Sequence, residues 1–301
     1  MQSFSRGWSF LKQAWGMAFK DKDLLKPSIY ALIVGMIVSI VGIMPIIGAA
    51  LLIGQSQFGN IILFVLGGVL VFVQFVVTYI FSGMTVYLIF GYLSEGDGRM
   101  DKAWGIIRRD FFDILTLAAA STAVNLIKSA ASRSRNRGVV ANMARTATSL
   151  LEVLWTEAAY LILPAMVIDD LGLKEGMQRV WKITKENLVL IGISTVGVRW
   201  VTGLIGFVLG AIGFAIGFAV GGGLTYLSGG EAAISIVGIA IGALIFFAFV
   251  MVASVFSSYT STAYHTCLYI WARDVQKARV GQEQGIPVNI PAPAPLAAVL
   301  R

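Results

Sequence analysis

The charge-free stretches of this sequence constrain its fold more than any other feature. No Asp, Glu, Lys or Arg occurs between Lys26 and Glu95, between Arg199 and Glu231, or between Glu231 and Arg273. A helix needs about 20 apolar residues to cross the hydrocarbon core of a bilayer. Charged residues make up only 13% of the chain, whereas soluble domains carry about 25%. The chain is therefore expected to be an integral membrane protein, and a water-soluble fold is excluded.

These stretches, together with a weaker middle pair of apolar segments that contains Asp113, Glu152 and Glu157, predict an all-α polytopic membrane protein with six transmembrane helices in three hairpins. The predicted helix pairs are 28–53 and 61–92, 111–127 and 146–168, and 188–223 and 232–271. The last two helices exceed a simple span, so they must tilt, break at glycine or extend beyond the bilayer. The sequence does not choose among these solutions. We expect residues 1–279 to form one transmembrane helical domain and residues 280–301 to form a Pro-rich disordered cytoplasmic tail.

The distribution of basic residues tests this topology through the positive-inside rule. Five, four, four and four basic residues occur in the segments predicted to be cytoplasmic, which are 1–26, 94–110, 169–187 and 272–301. Residues 128–146 also hold five, although three hairpins would make this segment extracytoplasmic. Either the segment is translocated, or residues 111–168 fold back in the cytoplasmic leaflet and leave four full spans. Both alternatives place the two termini on the cytoplasmic side of the cell (inner) membrane.

A Trp-centred segment precedes each predicted hairpin and indicates an internal repeat. Trp15, Trp104 and Trp181 each stand shortly before charged residues and an apolar helix. Around Trp104 the apolar and charged side chains fall on different faces of a helix, as in interfacial amphipathic helices. Trp favours the headgroup level of a bilayer, so we expect these three residues to be interfacial anchors. Three units of interfacial helix plus hairpin favour six spans over four.

Three short motifs carry a resemblance to a known group of membrane proteins. They are Arg6-Gly7-Trp8 with the following Trp15, Leu163-Pro164-Ala165-Met166-Val167-Ile168-Asp169-Asp170, and Leu268-Tyr269-Ile270-Trp271-Ala272-Arg273. The chain resembles an uncharacterised family of prokaryotic six-helix integral membrane proteins, and distantly the membrane domain of glycerophosphodiester phosphodiesterases. The resemblance implies the six-helix fold over residues 5–275. It implies no catalysis, because those phosphodiesterases hold their catalytic residues in a separate soluble domain.

Four ionisable side chains are predicted at membrane depth: Arg199, Glu157, Glu152 and Asp113. A charge at the centre of a span costs about 2.5 to 3.5 kcal/mol, so such groups usually face the bundle interior and pair. We expect Arg199 to pair with Glu157 rather than Glu152, because Arg199 and Glu157 lie at the same depth along their helices. A proton or anion pathway is the alternative interpretation.

The last predicted helix ends in a polar segment, residues 257–266, that is rich in hydroxyl side chains. These hydroxyls would either line a cytoplasm-facing cavity or reflect the ordinary polarity of a membrane interface. His265 lies in this segment and is the only histidine of the chain. A histidine titrates near neutral pH. Because no partner is recognisable in the sequence, a structural role is the expectation for His265.

A stripe of small residues follows the fifth predicted helix. It consists of Gly206, Gly210, Gly213, Gly217 and Gly221. Small residues let helix backbones approach closely in lipid, where packing drives association. We expect packing within the chain, with Gly238 and Gly242 among the counterparts. A homo-oligomer interface and a hinge or pore lining are the alternatives.

The sequence gives little support to an enzyme or a cofactor. One cysteine and one histidine leave no Cys/His metal cluster, and no phosphate-binding loop occurs. The basic segment 132–138 is assigned to membrane lipids and not to nucleic acid.

We expect a non-enzymatic scaffold or accessory subunit that organises lipids or partner proteins, in part through its C-terminal tail. The alternative is a transporter or channel-like protein for a small solute or ion. Paired charges in a dry core favour the scaffold, and a wet polar cavity favours transport.

Overall fold

The computed structural model of the chain describes residues 2–53, 56–133, 139–227, 232–281 and 291–300. The backbone only is described for residues 2–4, 53, 57, 133, 139–142, 144, 186–197, 199, 227, 232–234, 279–281 and 298–300. Within the described ranges the chain is almost wholly helical and has no strand. The helices are α1 (Gln2–Lys20), α2 (Lys26–Ile53), α3 (Gln57–Glu95), α4 (Met100–Arg109), α5 (Phe111–Arg133), α6 (Val139–Asp169), α7 (Leu173–Leu227), α8 (Ala232–Gly281) and α9 (Ala294–Leu300). A 3₁₀ turn, Lys22–Leu24, joins α1 to α2.

Six of these helices are long and apolar enough to cross a membrane. They are α2, α3, α5, α6 and the apolar parts of α7 and α8, which are Trp200–Tyr226 and Ser235–Ala278. Each predicted hairpin therefore corresponds to a pair of long helices. The all-α fold and the six membrane-length helices predicted from the charge-free stretches are confirmed.

The charged segments between these hairpins meet at one end of the molecule, which we call the charge-rich end. The Asp21 carboxylate before the 3₁₀ turn accepts the backbone N–H of Gly98, between α3 and α4, at 2.8 Å. Arg109 at the end of α4 lies 3.1 Å from the carboxylate of Asp170, just after α6. The last turns of α8 join the same end through an ion pair with the last residue of α6. All four segments predicted to lie on one side of the membrane are thus in mutual contact.

The hydrophobic core lies next to the charge-rich end. It consists of side chains from α1, α4, parts of α5 and α7, the second halves of α3, α6 and α8, the 3₁₀ turn and α9. Phe10 of α1 meets Tyr264 of α8 edge-on, with ring centroids 5.5 Å apart. Farther from this core, the α2–α3 and α7–α8 hairpins carry exposed apolar side chains such as Leu52 and Phe207, 89% and 75% exposed. Continuous apolar surface of this kind is typical of contact with lipid.

The predicted threefold repeat is not confirmed by the third unit. Trp15 and Trp104 lie on separate helices, α1 and α4, that precede a hairpin. Trp181 instead lies inside α7, which runs unbroken from the charge-rich end into its apolar span. No Gly or Pro occurs between residues 177 and 191 to end the helix there. Both α7 and α8 are unbroken, so of the three solutions for these long helices a break at glycine is excluded.

The three predicted Trp anchors also differ in their surroundings. The indole N–H of Trp15 donates to Thr260 Oγ1 at 3.0 Å, and its ring stacks on Phe256 with centroids 4.4 Å apart. Trp15 is therefore a packing residue of the bundle, because α1 packs against α7 and α8. Trp104 and Trp181 are 43% and 72% exposed. Only these two have the exposure that an interfacial anchor requires.

The predicted disordered tail contains an ordered helix. Residues 294–300 form α9, which packs mainly against α1. Leu296 is fully buried and belongs to the hydrophobic core. Burying a Leu side chain contributes about 1.5 to 3 kcal/mol, which favours the docked helix over a free chain. The apolar end of the tail is therefore packed against its own chain.

The glycine stripe of α7 includes close backbone contacts with α8. A Cβ at Gly217 would overlap the carbonyl oxygen of Gly242. At Gly221 a Cβ would lie 2.8 Å from the carbonyl oxygen of Gly238. Real Cβ atoms do not approach an oxygen this closely, so only glycine permits this helix spacing. The two predicted counterparts, Gly238 and Gly242, lie at this contact.

The other members of the stripe do not share one environment. A Cβ at Gly213 would lie 2.5 Å from Cβ of Phe249, so this position also packs on α8. Around Gly206 and Gly210, no described atom comes within 4 Å of the place a Cβ would take. The stripe is thus divided into a packed part and an open part.

Candidate functional site

Two of the ionisable side chains predicted at membrane depth lie toward opposite ends of α5. Asp113 is in the first turn of α5 and lies beside Gly172 at the charge-rich end. Glu152 of α6 forms an ion pair with Lys128, near the other end of α5. We had assigned Lys128 to the basic connecting segment and missed this pair. The signal that could have found it is the opposite charge of two side chains flanking the same turn.

The third carboxylate, Glu157 of α6, meets His265 of α8 within the bundle. Its Oε2 lies 3.1 Å from His265 Nε2. The other ring nitrogen, Nδ1, lies 2.7 Å from the backbone carbonyl oxygen of Ser261. His265 is 3% exposed, so its ring is almost wholly enclosed by protein. Arg199 lies on α7, but its side chain is outside the described residues, and its predicted pairing with Glu157 stays a prediction.

The two hydrogen bonds of His265 determine where its protons lie. A carbonyl oxygen only accepts, so Nδ1 must carry a proton that it donates to Ser261. The contact between Nε2 and Glu157 also needs one proton, held by the imidazole or by the carboxyl group. The contact therefore joins either imidazolium to carboxylate or neutral imidazole to carboxylic acid. In both forms one proton is shared by two groups that can each release it.

Aromatic rings hold the His265 imidazole in this position. Tyr160 stacks on it, with centroids 4.9 Å apart and an interplanar angle of 16°. Tyr264 meets it edge-on at 5.1 Å. The ring is thus fixed by two hydrogen bonds and two aromatic contacts.

A cavity of about 610 Å³ lies beside this pair, between α6, α7 and α8, and we call it the polar groove. Eight of the eleven described residues that line it carry a hydroxyl group. These eight are Thr156, Tyr160, Thr202, Ser254, Ser257, Ser258, Ser261 and Tyr264. Water is held in protein cavities that offer it two to four polar partners, and this lining offers them. The predicted polar lining at the end of the last helix is therefore assembled with groups from α6 and α7.

A second cavity, of about 100 Å³, adjoins the polar groove on the side of α5. Thr156 and Tyr160 line both cavities. In the smaller one, Ser121 accepts the indole N–H of Trp155 at 2.8 Å and lies 2.7 Å from the Tyr79 hydroxyl oxygen. Polar groups therefore continue from the groove toward the ion pair of α5 and α6.

Sequence reasoning identified Glu157, His265 and several serines separately but did not bring them together. It missed Thr156 and Tyr160, which connect the two cavities. Their polarity alone does not identify them as cavity residues, because polar residues also occur singly in apolar helices. Their position relative to Glu157 on α6 would have been the only signal.

The described residues contain no group of three His, Cys, Asp or Glu side chains that could hold a metal ion. No protein-family model matches the chain, and no curated protein matches it.

Proposed function

We propose that this chain is a multi-pass protein of the cell (inner) membrane, with its charge-rich end and both termini in the cytoplasm. The support is the contact among the four basic segments at one end of the molecule. Cytoplasmic loops carry the excess of Lys and Arg in membrane proteins. A fold-back of α5 and α6 would leave the same four segments on one side, so their contact does not choose between six spans and four. We propose that α5 and α6 cross fully, because each has the length and hydropathy of a span. The resemblance to the six-helix family is part of this proposal.

Cysteine labelling in intact cells tests the topology. Met143 at the start of α6 is 67% exposed, and Ser94 is an exposed residue at the charge-rich end. Met143→Cys should react with an impermeant maleimide in intact cells, and Ser94→Cys only after lysis. The native Cys267 is buried and provides the unreactive reference. Labelling of Met143→Cys only after lysis would replace six spans by four.

We further propose that the polar groove binds a small polar solute and that the protein transports it. The observation that carries this proposal is the hydroxyl-lined cavity beside the His265–Glu157 pair. A scaffold would need its membrane-depth charges paired in a dry core, whereas this pair adjoins a cavity of about 610 Å³. Ionisable groups inside membrane helices commonly mark substrate paths and proton relays. The shared proton of the pair gives the groove a proton to exchange when a solute enters.

Solute-induced proton movement in proteoliposomes tests this function. A trapped pH-sensitive dye reports internal acidification after external addition of amino acids, sugars, polyols or organic anions, one class at a time. We expect one class to acidify the interior and to raise the melting temperature of the purified protein. Glu157→Gln should abolish the acidification, and Glu95→Gln at the charge-rich end should preserve it. If no class produces either effect with the wild type, the transport proposal is wrong.

The second candidate function is the non-enzymatic scaffold or accessory subunit. It is favoured by the 72% exposure of Trp181 in a basic part of α7, where lipids or a partner protein could bind. Native mass spectrometry of the protein purified in mild detergent would detect retained partners, lipids or a homo-oligomer. A retained protein partner that is unaffected by substitutions in the polar groove would favour the scaffold.

A further inference from the structure

A third cavity, separate from the polar groove and from the small cavity beside it, lies at the charge-rich end. Its volume is about 530 Å³, and it lies between the first turns of α7, the α6–α7 turn and the end of α8. The charged groups in its lining are Arg179, Lys182, Lys277, Asp169 and Glu175. Residues 175, 179 and 182 are spaced to share one face of α7. We call this cavity the basic pocket.

The acidic residue Asp169 of the lining makes its hydrogen bonds with α8. Its Oδ2 accepts the Tyr269 hydroxyl at 2.6 Å, and its Oδ1 pairs with Arg273 Nη1 at 3.0 Å. Arg273 also pairs with Asp274 at 3.0 Å, so these two residues add no net charge. Among the described residues of the lining, three basic side chains face the two acids Asp169 and Glu175. The described lining therefore carries an excess of one positive charge.

Arg179 provides the most specific sign of a ligand. Its guanidinium hydrogen-bonds the hydroxyl of Tyr269, which holds it in place. Its Nε is buried and has no hydrogen-bond partner among the described residues. A buried polar group without a partner is costly, so an acceptor is expected at this point. The start of α7 adds the positive end of a long helix dipole.

We propose that the basic pocket binds a phosphate group. A phosphate oxygen would accept the free Nε–H of Arg179, and the exposed Lys182 and Lys277 would neutralise the remaining charge. The phosphate would come from an anionic lipid headgroup or from a free phosphate compound. Trp181, next to Lys182 and 72% exposed, would place the pocket at headgroup level. This site is separate from the polar groove and does not depend on transport.

The test uses the full-length protein in maltoside detergent, which contains no phosphate. One arm titrates inorganic phosphate and follows the melting temperature, with chloride at equal ionic strength as reference. The other arm adds phosphatidylglycerol or phosphatidylcholine and counts retained lipids by native mass spectrometry. The variants are Lys182→Gln/Lys277→Gln, whose side chains are exposed, and Arg179→Lys, which keeps the charge but loses Nε. Lys102→Gln/Arg108→Gln removes equal charge from the same end, outside the pocket lining.

We expect saturable stabilisation by phosphate, preferential retention of phosphatidylglycerol, or both. An effect of phosphate alone identifies a free phosphate compound as the ligand, and retention of the anionic lipid alone identifies a headgroup. Lys182→Gln/Lys277→Gln and Arg179→Lys should each weaken the effect at least fivefold, and the control double variant less than twofold. The proposed site is overturned if the wild type shows neither phosphate stabilisation nor preferential lipid retention. It is also overturned if the control double variant weakens the response as much as the pocket variants do.

Discussion

The middle pair of membrane-length helices differs from the four outer ones in both composition and position. α5 and α6 are the least apolar of the six. In their most apolar 18-residue segments, 28% and 44% of the residues are buried inside the protein. The corresponding shares are 0% for α2, 6% for α3 and 11% for both α7 and α8. Low hydropathy in α5 and α6 therefore goes with enclosure by the other helices. Weak hydropathy in these two helices is therefore a sign of burial inside the bundle.

The inner and outer helices are also held together by different forces. The outer helices α7 and α8 contact each other through their backbones at glycine, because no side chain there keeps the two helices apart. The inner helices make side-chain hydrogen bonds, such as those of Glu157 with His265 and of Ser121 with Trp155. Lipid offers no polar partner to such groups, so they stabilise the bundle only when enclosed. Substitutions in the two regions should therefore fail in different ways.

The largest effect is expected at the glycine contact of the outer pair. Gly217→Leu places a four-carbon side chain against the backbone of Gly242, which cannot move aside as a side chain would. The cost should exceed the range of about 1 to 3 kcal/mol typical of overpacked side chains. We expect loss of the folded peak on size exclusion in detergent. Gly210→Leu is the matched control on the same helix and should elute normally; equal behaviour of the two variants would refute the α7–α8 contact.

The next largest effect is expected at the contact between Glu157 of the inner helix α6 and His265 of α8. His265→Leu and Glu157→Leu should each destabilise the protein by about 1 to 3 kcal/mol, because each removes the hydrogen bond between His265 Nε2 and Glu157 Oε2 from the bundle. The double variant should cost less than the sum of the two, with a coupling energy of about 1 kcal/mol or more. A thermal-shift double-mutant cycle measures this. A parallel cycle of His265 with Glu152, whose partner is Lys128, should be additive; no difference between the cycles would argue against the pair.

A smaller loss of stability is expected from substitution in the cavity of about 100 Å³ that adjoins the polar groove. Ser121→Ala removes the acceptor of the Trp155 indole and the partner of the Tyr79 hydroxyl. Each net hydrogen bond contributes about 1 kcal/mol, so the loss should be about 1 to 2 kcal/mol in thermal denaturation. Ser94→Ala is the control, because Ser94 is exposed and bonds only carbonyl groups of its own helix. Equal stability of the two variants would mean that this inner hydrogen-bond network contributes nothing.

The sequence carried most of the information on the fold. Charge-free stretches located four of the six long helices, because lipid excludes charges from a whole segment at once. The middle pair, which contains Asp113, Glu152 and Glu157, was located by its weaker apolar character on either side of a basic segment. Glycine spacing located the α7–α8 contact at Gly217 and Gly242, since that requirement is local. The continuity of α7 past Trp181 was missed, because interfacial and spanning helices share the same residues at their junction. Only the contacts of α1 with α7 and α8 distinguish Trp15 from a true interfacial anchor.

The site could be predicted only in part. Glu157 and His265 stand out as ionisable residues in apolar helices, but 108 residues separate them and no pattern pairs them. Their contact depends on how α6 and α8 pack, which is a tertiary property. The same holds for Tyr160, whose stacking on His265 has no signature in the sequence. Single polar residues in apolar helices indicate that a polar site exists, and packing alone decides its composition.

The central claim is that the polar groove is hydrated although it lies among membrane-length helices. Ser254 and Val252 are neighbours on α8, both exposed, but only Ser254 lines the groove. A charged methanethiosulfonate reagent attacks the thiolate, which forms in water and not in hydrocarbon. In proteoliposomes, Ser254→Cys should therefore react at least tenfold faster than Val252→Cys, while the buried Cys267 stays unmodified. Equally slow reaction at both positions would contradict the account, because it would mean that the groove is dry.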